Sequence, residues 1–154
     1  MTLTTWDEPA APVEATGMVC VRLPSLDELA CNWMEVEMLL AKATRITRCY
    51  EPIDLLRMAM AGQVGIWFCE HKGKLIASIV TEVKQFPRRR LLEIMFCGGT
   101  CMKLWIEPAI AVLDAHARHL GCDAVCGIGR PGWVRAWRGY APGGIVIVRE
   151  LGDG

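Results

Sequence analysis

The sequence predicts a single α/β domain in which a mixed, largely antiparallel sheet is flanked by helices. Three observations lead to this fold class. Short apolar runs of strand length alternate with segments of helical periodicity, two turn signals join three consecutive strands in the middle of the chain, and a long amphipathic segment follows them. The expected order of elements is β-α-α-β-β-β-α-β-α-β over residues 18–154, after a flexible N-terminal tail at residues 1–17.

The first part of the domain predicts a strand followed by a long helix. Met18–Leu23 (MVCVRL) has the composition of a strand, and Pro24–Ala43 has apolar residues at helical spacing. Ser25 can cap this helix while Glu28 reaches back to the cap, which is the pattern of a capping box. We therefore expect one continuous helix that begins directly after Ser25.

A second helix and a three-stranded meander are expected next. The helix spans Glu51–Ala61, with Pro52 in its first turn and Gly62 just beyond its end. Lys72 and Gly73 between two apolar runs give a hairpin signal. The stretch KQFPRRR marks a second, longer turn before the strand LLEIMFCGG, so three antiparallel strands follow one another along the chain.

The last part predicts a long helix, a buried strand, a short helix and a final strand. Apolar positions repeat at helical spacing from Met102 to Leu120, DAVCGIG has the composition of a buried strand, and GGIVIVREL has that of a closing strand. The short helix RPGWVRAWRGY carries Trp133 and Trp137 four residues apart. This pair either closes the core or anchors a partner, and we expect it to close the core.

Charge and hydropathy exclude several function classes. Seventeen basic and seventeen acidic residues balance, so no overall field attracts the chain to nucleic acid. No apolar run approaches the roughly 20 residues of a membrane helix, and the N-terminal residues lack the pattern of a secretory signal. We expect a soluble cytoplasmic protein.

The eight cysteines are expected to be free thiols. They lie inside apolar periodic segments, where cysteine acts as a small hydrophobic residue, and no export signal accompanies them. Cys97 with Cys101 and Cys122 with Cys126 have spacings that a zinc site allows, but the second pair flanks a strand rather than a knuckle. A cysteine-liganded zinc module is the least favoured interpretation, and we expect no metal site.

The order of elements, with a long helix after the fourth strand and GRPGWVRAWRGYAP before a last strand, resembles the GCN5-related N-acetyltransferase (GNAT) fold over about Met18 to Leu151. In detail, IWFCEHKGKLIASIVTEVKQFPRRRLLEIMFCGG, LDAHARHLGCDAV and GRPGWVRAWRGYAP resemble divergent acetyltransferase-like proteins carried in bacteriophage genomes. This resemblance implies a cleft for acetyl-CoA if the protein is catalytic, and a phage or host protein as partner if it is not.

In that family the fourth strand is followed by Gln or Arg, two residues, Gly, one residue, and Gly or Ala, whose backbone amides hold the coenzyme A pyrophosphate. Here CGGTCM, residues 97–102, stands at that place, so the leading Gln or Arg and the spacing are missing. The cofactor-binding candidates are Gly98, Gly99, Thr100 and, at the start of the last helix, Arg130. Alternatively, the two glycines only allow a tight exit from the strand.

Pro108 bears on the same site. Proline costs about 3 kcal/mol inside a helix but is favourable at the first helical position, so we expect the regular helix to begin at Pro108, away from Gly98 and Gly99. A helix that begins after Thr100 and kinks at Pro108 is the alternative. That alternative restores the geometry of a phosphate cradle.

Two carboxylates are candidates for a general base. Glu93 is the only charged residue in the apolar strand LLEIMFC, where it must face a cleft or a partner, and Glu82 near the end of the preceding strand is a second candidate. The alternative for Glu93 is a structural salt bridge with Arg90 or Arg135. The family's usual acid is a Tyr four residues before a Gly-aromatic pair, but Arg135 stands there, ahead of Gly139-Tyr140.

Two histidines on the long helix complete the set of titratable candidates. His116 and His119 stand three residues apart beside Arg118. We expect them on a solvated helix face rather than at a metal or a catalytic site.

These departures from the family pattern favour an acetyltransferase-like phage protein with a degenerate acyl-CoA cleft and no cofactor. Such a protein acts through protein contacts in virion assembly or with a host component, in the host cytoplasm or on the virion. The alternative is an active acyl-CoA-dependent N-acyltransferase that uses Glu93 and the Gly98-Gly99 turn.

Overall fold

The computed structural model describes residues 19–152, so the N-terminal tail expected at residues 1–17 lies outside the described part of the chain. The elements in chain order are β1 (Val19–Arg22), α1 (Leu26–Cys31), α2 (Trp33–Thr47), α3 (Pro52–Met60), β2 (Gly65–His71), β3 (Lys74–Gln85), β4 (Arg90–Gly99), α4 (Met102–His119), β5 (Ala124–Gly127) and α5 (Trp133–Ala136).

The five strands form one sheet in the order β1-β2-β3-β4-β5, which is also their order along the chain. The first three pairs of neighbours are antiparallel, and β4 and β5 are parallel. A parallel pair needs a crossover connection, and α4 provides it. The predicted fold class, a single α/β domain with a mixed and largely antiparallel sheet, is confirmed.

Helices cover both faces of this sheet. Side chains alternate along β2, so that Trp67 packs with α4 and α5 whereas Ile66 and Phe68 pack with α1, α2 and α3. Both groups of core residues are almost completely buried. The domain therefore has three layers, with the sheet in the middle.

The helix predicted over Pro24–Ala43 is two helices, α1 and α2, which are separated at Asn32. The Asn32 side-chain amide donates to the carbonyl oxygen of Glu28 at 2.8 Å, a local bond that competes with continuation of the helix. The capping box is confirmed. The Glu28 N–H donates to Ser25 Oγ at 3.2 Å, and the Ser25 N–H donates to the Glu28 carboxylate at 3.4 Å.

The turns of the meander follow the sequence signals. Lys72 and Gly73 both have left-handed backbone angles, with φ of 51° and 74°, as a two-residue hairpin turn requires. The second turn joins Gln85 to Arg90, where the KQFPRRR stretch predicts it. These turns set the strands of the meander side by side.

The closing strand predicted from GGIVIVREL is not formed. The described residues after Ala136 contain no strand, and Ile145 and Ile147 are each 90% exposed. The prediction of a final strand is wrong for the described residues, because strand propensity alone does not make a strand and the run does not pair with the outer edge of β5. The last helix is also shorter than predicted, with a single turn from Trp133 to Ala136.

Candidate active site

The candidate site is a cleft that opens where β4 and β5 separate. Pairing between the two strands runs from Leu91–Ala124 to Ile94–Gly127, whereas β4 continues to Gly99. The cleft beside the end of this pairing has a volume of about 980 Å³. Its walls come from Ile94, from β5, from α5 and from the chain that follows α5.

A β-bulge lies in β4 at the mouth of this separation. Val80 of β3 pairs with Phe96, and the next residue, Thr81, pairs with Ile94, so Met95 is the extra residue. A bulge bends the strand and leaves one residue outside the regular ladder. Of β4, Ile94 lines the cleft, whereas the candidates Glu93, Gly98 and Gly99 do not.

Gly98 and Gly99 are strand residues rather than residues of a turn. They pair with Ser78 and Ala77 of β3. A Cβ atom at Gly98 would collide with the backbone carbonyl of Leu39 in α2, and one at Gly99 would lie 2.5 Å from the Cβ of Ala77. Both glycines therefore serve close packing of the strand against its neighbours.

The connection from β4 to α4 contains only Thr100 and Cys101. The Thr100 N–H donates to the carbonyl oxygen of Ile76 at 2.9 Å, and the Thr100 carbonyl accepts from Trp105 Nε1 at 3.0 Å. Cys101 takes a left-handed conformation with φ of 54° at the N-cap position of α4, and its side chain makes no capping hydrogen bond. Thr100, a candidate for phosphate binding, thus has its amide bonded within the protein.

The start of α4 differs from the expectation. The helix begins at Met102 and contains Pro108 in its interior, so the expected start at Pro108 is wrong and the alternative of an earlier start is confirmed. Burial of Trp105, Ile106 and Ala109 around the proline offsets the hydrogen bond that Pro108 cannot donate. The N-terminus of α4, which is the positive end of its dipole, therefore lies just after the last residue of β4.

Glu93 and Glu82 face each other across β3 and β4 as paired residues. The ammonium group of Lys84 lies 3.2 Å from the carboxylate of Glu82 and 3.8 Å from that of Glu93. Both carboxylates are mostly buried, with side-chain exposures of 22% and 20%. Glu93 thus has an ionic partner, but that partner is Lys84 and not the arginine, Arg90 or Arg135, that the sequence suggests.

The pKa of the Glu93 carboxyl is raised above its ordinary value. Burial is the main cause, Glu82 adds to the increase, and Lys84 opposes it. A carboxyl with a raised pKa has the character of a general base, so Glu93 keeps its place as the first candidate. It stands two residues before the bulge at Met95.

Two side chains at the cleft carry polar atoms with no hydrogen-bond partner in the part of the chain that the structure describes. They are Trp137 Nε1 and the Tyr140 hydroxyl. Trp137 is 1% exposed and packs 5.6 Å from the rings of Trp133 and Tyr140, so the expectation that this face closes the core is confirmed for Trp137. Burial raises the pKa of Tyr140, which keeps the phenol protonated.

The remaining candidates are exposed. Arg130 lies in the connection between β5 and α5 and lines the cleft, but α5 is too short to give its N-terminus a useful dipole. Arg135, four residues before Gly139-Tyr140, is exposed on α5. Neither residue is held by a hydrogen bond from its side chain to another described residue.

The histidines of α4 differ from each other. His119 is exposed as expected, but His116 is completely buried, so the expectation of a solvated face is wrong for His116. The two lie on one helix, and α4 packs over β1, which buries the side that carries His116. Burial and the nearby His119 lower the pKa of His116 to about 4.

The cysteines are less uniformly buried than expected. Cys69 is buried and four others are half-buried, whereas Cys31, Cys49 and Cys101 are exposed. Over residues 19–152, no group of three histidine, cysteine or acidic residues is placed to hold a metal ion, and no helix is long and apolar enough to cross a membrane.

Comparison with solved structures identifies the fold. The chain superposes on a ribosomal-protein-alanine N-acetyltransferase from Brucella melitensis biovar Abortus with a TM-score of 0.65 at 14% identity, covering 87% of this chain and 99% of that one. A GNAT family acetyltransferase from Staphylococcus aureus gives 0.63 at 12% identity over 88% and 100%. Glucosamine-6-phosphate N-acetyltransferase from Arabidopsis thaliana gives 0.61 at 13% over 88% and 99%.

No protein-family model matches the sequence, and comparison with curated protein sequences finds no match. At identities this low, the structural likeness defines the fold alone. The chain therefore has a GNAT-like acetyltransferase fold.

Proposed function

We propose that this chain is an acetyltransferase-like protein whose acyl-CoA cleft is modified and which works through protein contacts. The observation that supports this most directly is the two-residue connection between β4 and α4. A pyrophosphate cradle needs several convergent backbone amides. Here Thr100 donates its amide to Ile76, and Leu104 donates its amide to the carbonyl of Cys101, so these two amides are not free for an anion, although α4 begins directly after them at Met102.

A second observation concerns the expected acid. Arg135 occupies the place of the tyrosine that protonates the leaving thiolate in the family, and its side chain is exposed on a one-turn helix. An arginine stays protonated at physiological pH and does not act as a proton donor there. The position that supplies the acid in the family therefore holds, in this chain, a residue that does not donate a proton.

The proposed setting is a phage particle during assembly, or a host component in the cytoplasm of an infected cell. This part of the proposal is supported by the resemblance of three sequence segments to phage-encoded acetyltransferase-like proteins. The balanced charge of the chain argues against nucleic acid as the partner. The exposed apolar residues at positions 145–151 suit contact with protein.

Titration of the purified protein with acetyl-CoA and with coenzyme A tests the proposal. We expect no heat of binding and no rise in melting temperature at millimolar ligand. Saturable binding that is weakened by Lys103→Glu at the start of α4, but not by the matched surface change Lys42→Glu on α2, would contradict it.

The second candidate function is an active acyl-CoA-dependent N-acyltransferase, and the position of Glu93 favours it. This mostly buried carboxylate with a raised pKa stands two residues before the bulge at Met95, next to Ile94 of the cleft wall. In acyl transfer, Glu93 would take the proton of the attacking amine, the new amide bond would form as the thioester C–S bond breaks, and Tyr140 could protonate the thiolate.

An assay of thioester absorbance with acetyl-CoA and a panel of amines separates the two candidates. An active enzyme loses most of its rate in Glu93→Gln, because removal of a general base costs about 10²–10⁴-fold. Absence of turnover in the unmodified protein with every amine would leave the contact function as the one supported.

A further inference from the structure

The turn between β3 and β4 carries basic side chains that neither candidate function uses. Phe86, Pro87, Arg88 and Arg89 form the turn, and Arg90 begins β4. All four turn residues are exposed, and Phe86 is 49% exposed. A half-exposed aromatic ring beside arginines offers apolar contact area together with positive charge. The tip of this turn therefore has the composition of a contact surface.

Hydrogen bonds hold the turn in one shape. The Phe86 N–H donates to the carbonyl oxygen of Arg89 at 2.8 Å, and Gln85 Nε2 donates to the carbonyl oxygen of Phe86 at 2.8 Å. Gln85 and Arg90 pair across the base of the turn, where the ladder between β3 and β4 ends. A surface that is already ordered loses less conformational entropy when it binds a partner.

The last turn of α4 places a further basic residue at the same end of the domain. Leu120, directly after this helix, packs with Leu92 of β4. The Asp123 carboxylate accepts from the Arg90 N–H at 2.9 Å, and the Asp123 N–H donates to the Arg90 carbonyl oxygen at 2.7 Å. These contacts fix the end of α4 beside the start of β4. Arg118, which is exposed on the last turn of α4, therefore lies at the end of the domain that carries the β3–β4 turn.

We call Arg88, Arg89, Arg90 and Arg118 the basic face. Within residues 19–152, the side chains of Arg88, Arg89 and Arg118 make no ion pair and no hydrogen bond, and Arg90 Nε is buried without a hydrogen-bond partner. Asp123 places a single negative charge beside them, so the face stays positive. Like charges held this close repel one another, and an anionic partner removes that repulsion.

We propose that the basic face binds an acidic segment of a partner protein, whose carboxylates pair with the arginines while an apolar side chain covers Phe86. Arginine presents a planar fork of N–H donors that matches a carboxylate with two parallel hydrogen bonds. The exposed ring of Phe86 adds the apolar contact that charge alone does not supply.

The size of the face favours an acidic protein segment over nucleic acid. Specific sites for DNA bury roughly 1,000–2,500 Å² of protein surface and contact many phosphates. The basic face offers four arginines, and the chain has no net charge that would attract a long polyanion from a distance. A short run of acidic side chains matches both the number and the extent of these cations.

This inference goes beyond the proposed function. The basic face lies at the start of β4, whereas the cleft opens where the pairing of β4 with β5 ends at Ile94. The inference therefore holds whether or not the cleft binds acyl-CoA. An experiment that uses no coenzyme A tests it separately.

Fluorescence anisotropy of the full chain with labelled probes tests the proposal. The first probe is a peptide of alternating glutamate and serine with one central leucine. The second is the same peptide with glutamine in place of glutamate, and the third is a single-stranded oligonucleotide of equal charge to the first. We expect saturable binding of the acidic peptide that weakens as salt is raised, and binding of the glutamine peptide at least about tenfold weaker.

Two double variants with the same change of charge locate the site. Arg88→Glu with Arg89→Glu should weaken binding of the acidic peptide at least about tenfold. Arg45→Glu with Arg48→Glu, at exposed positions at the end of α2, should keep most of the affinity. Phe86→Ser should weaken binding about threefold through the lost apolar contact. A turn whose charge only keeps the protein soluble predicts the same effect for both double variants.

Several outcomes would overturn the proposal. They are absence of saturable binding at low salt, equal weakening by the two double variants, and tighter binding of the oligonucleotide than of the acidic peptide. Self-association of the protein alone that Arg88→Glu with Arg89→Glu abolishes would also overturn it, because the occupant would then be a second copy. Circular dichroism verifies that the variants are folded. Amide NMR shifts caused by the acidic peptide should concentrate at residues 85–90 and 118–123, and shifts concentrated elsewhere would contradict the site.

Discussion

His116 packs edge-on against Trp67, with ring centroids 4.8 Å apart and an interplanar angle of 81°. The indole Nε1 of Trp67 donates to Thr81 Oγ1 at 2.9 Å, which fixes the ring that the imidazole meets. An imidazole held in this apolar environment is neutral. The contact links α4 to the centre of the sheet and makes that link sensitive to acid.

The first prediction concerns this acid sensitivity. The folded pKa of His116 is about 4, below the value of about 6.5 in an unfolded chain. The unfolded state therefore binds the proton first, and stability falls as pH decreases from about 6.5 toward 4. In the unmodified protein, the free energy of unfolding should decrease by on the order of 2 kcal/mol through this group as the pH falls from about 6.5 to 4. His116→Gln should abolish that decrease. Urea unfolding at several pH values measures it, and the exposed His119→Gln is the control.

The second prediction concerns the packing of Gly98 against α2. Gly98→Ala places a methyl group on the carbonyl of Leu39, and the backbone of α2 cannot yield as a flexible side chain would. We expect the free energy of unfolding to fall by about 1–3 kcal/mol. Gly132→Ala is the matched control, because a Cβ there meets nothing within 4 Å. Equal stability of the two variants in thermal unfolding would contradict the close approach.

The third prediction concerns the charge of Glu93. Its folded pKa is raised, so the folded state holds the proton more tightly and stability declines as pH rises through and above the ordinary carboxyl range. Glu93→Gln should therefore be more stable than the unmodified protein at pH 7.5, with the difference vanishing in acid.

Two further variants check the cause. Lys84→Met removes the cation that lowers the pKa of Glu93, so it should reduce stability at pH 7.5. Glu35→Gln, at an exposed position on α2, should have little effect. If Glu93→Gln instead lowers the free energy of unfolding at neutral pH, the ion pair with Lys84 stabilises the protein by more than burial of the carboxylate destabilises it.

The fourth prediction concerns the thiols. Cys31, Cys49 and Cys101 are exposed and should react within seconds with an aromatic disulfide reagent in the folded protein. Burial raises the pKa of Cys97 to about 12, and the pKa of Cys69 is raised as well, so these thiols should stay unreactive until denaturation. A total below eight after denaturation would indicate disulfides or bound metal.

Features fixed by a few neighbouring residues could be predicted from the sequence. The capping box of Ser25 and Glu28 and the hairpin turn at Lys72 and Gly73 depend on contacts within three residues. Their chemistry is therefore visible in the sequence itself. The order of the elements up to α5 follows from such signals together with periodicity, and the fold class follows from that order.

Features fixed by distant residues could not be predicted. Position 98 requires glycine because the backbone of α2 at Leu39 lies against it, and no local signal reports that contact. Pro108 stays inside α4 because tertiary packing outweighs its local preference for a first-turn position. The partner of Glu93 depends on the register of β3 and β4, which the bulge at Met95 shifts.

The strand order has a consequence for how the chain acquires its structure during synthesis. Each strand from β2 to β5 adds to the edge formed by the strand before it, so no strand has to enter between two others that are already paired. The sheet can grow from β1 outward as the chain leaves the ribosome, with α4 folding before β5 arrives. Pairings between successive strands close short loops, which favours rapid assembly of the meander. Growth in this direction ends at β5, whose outer edge is the last to form and the one left open for a further strand.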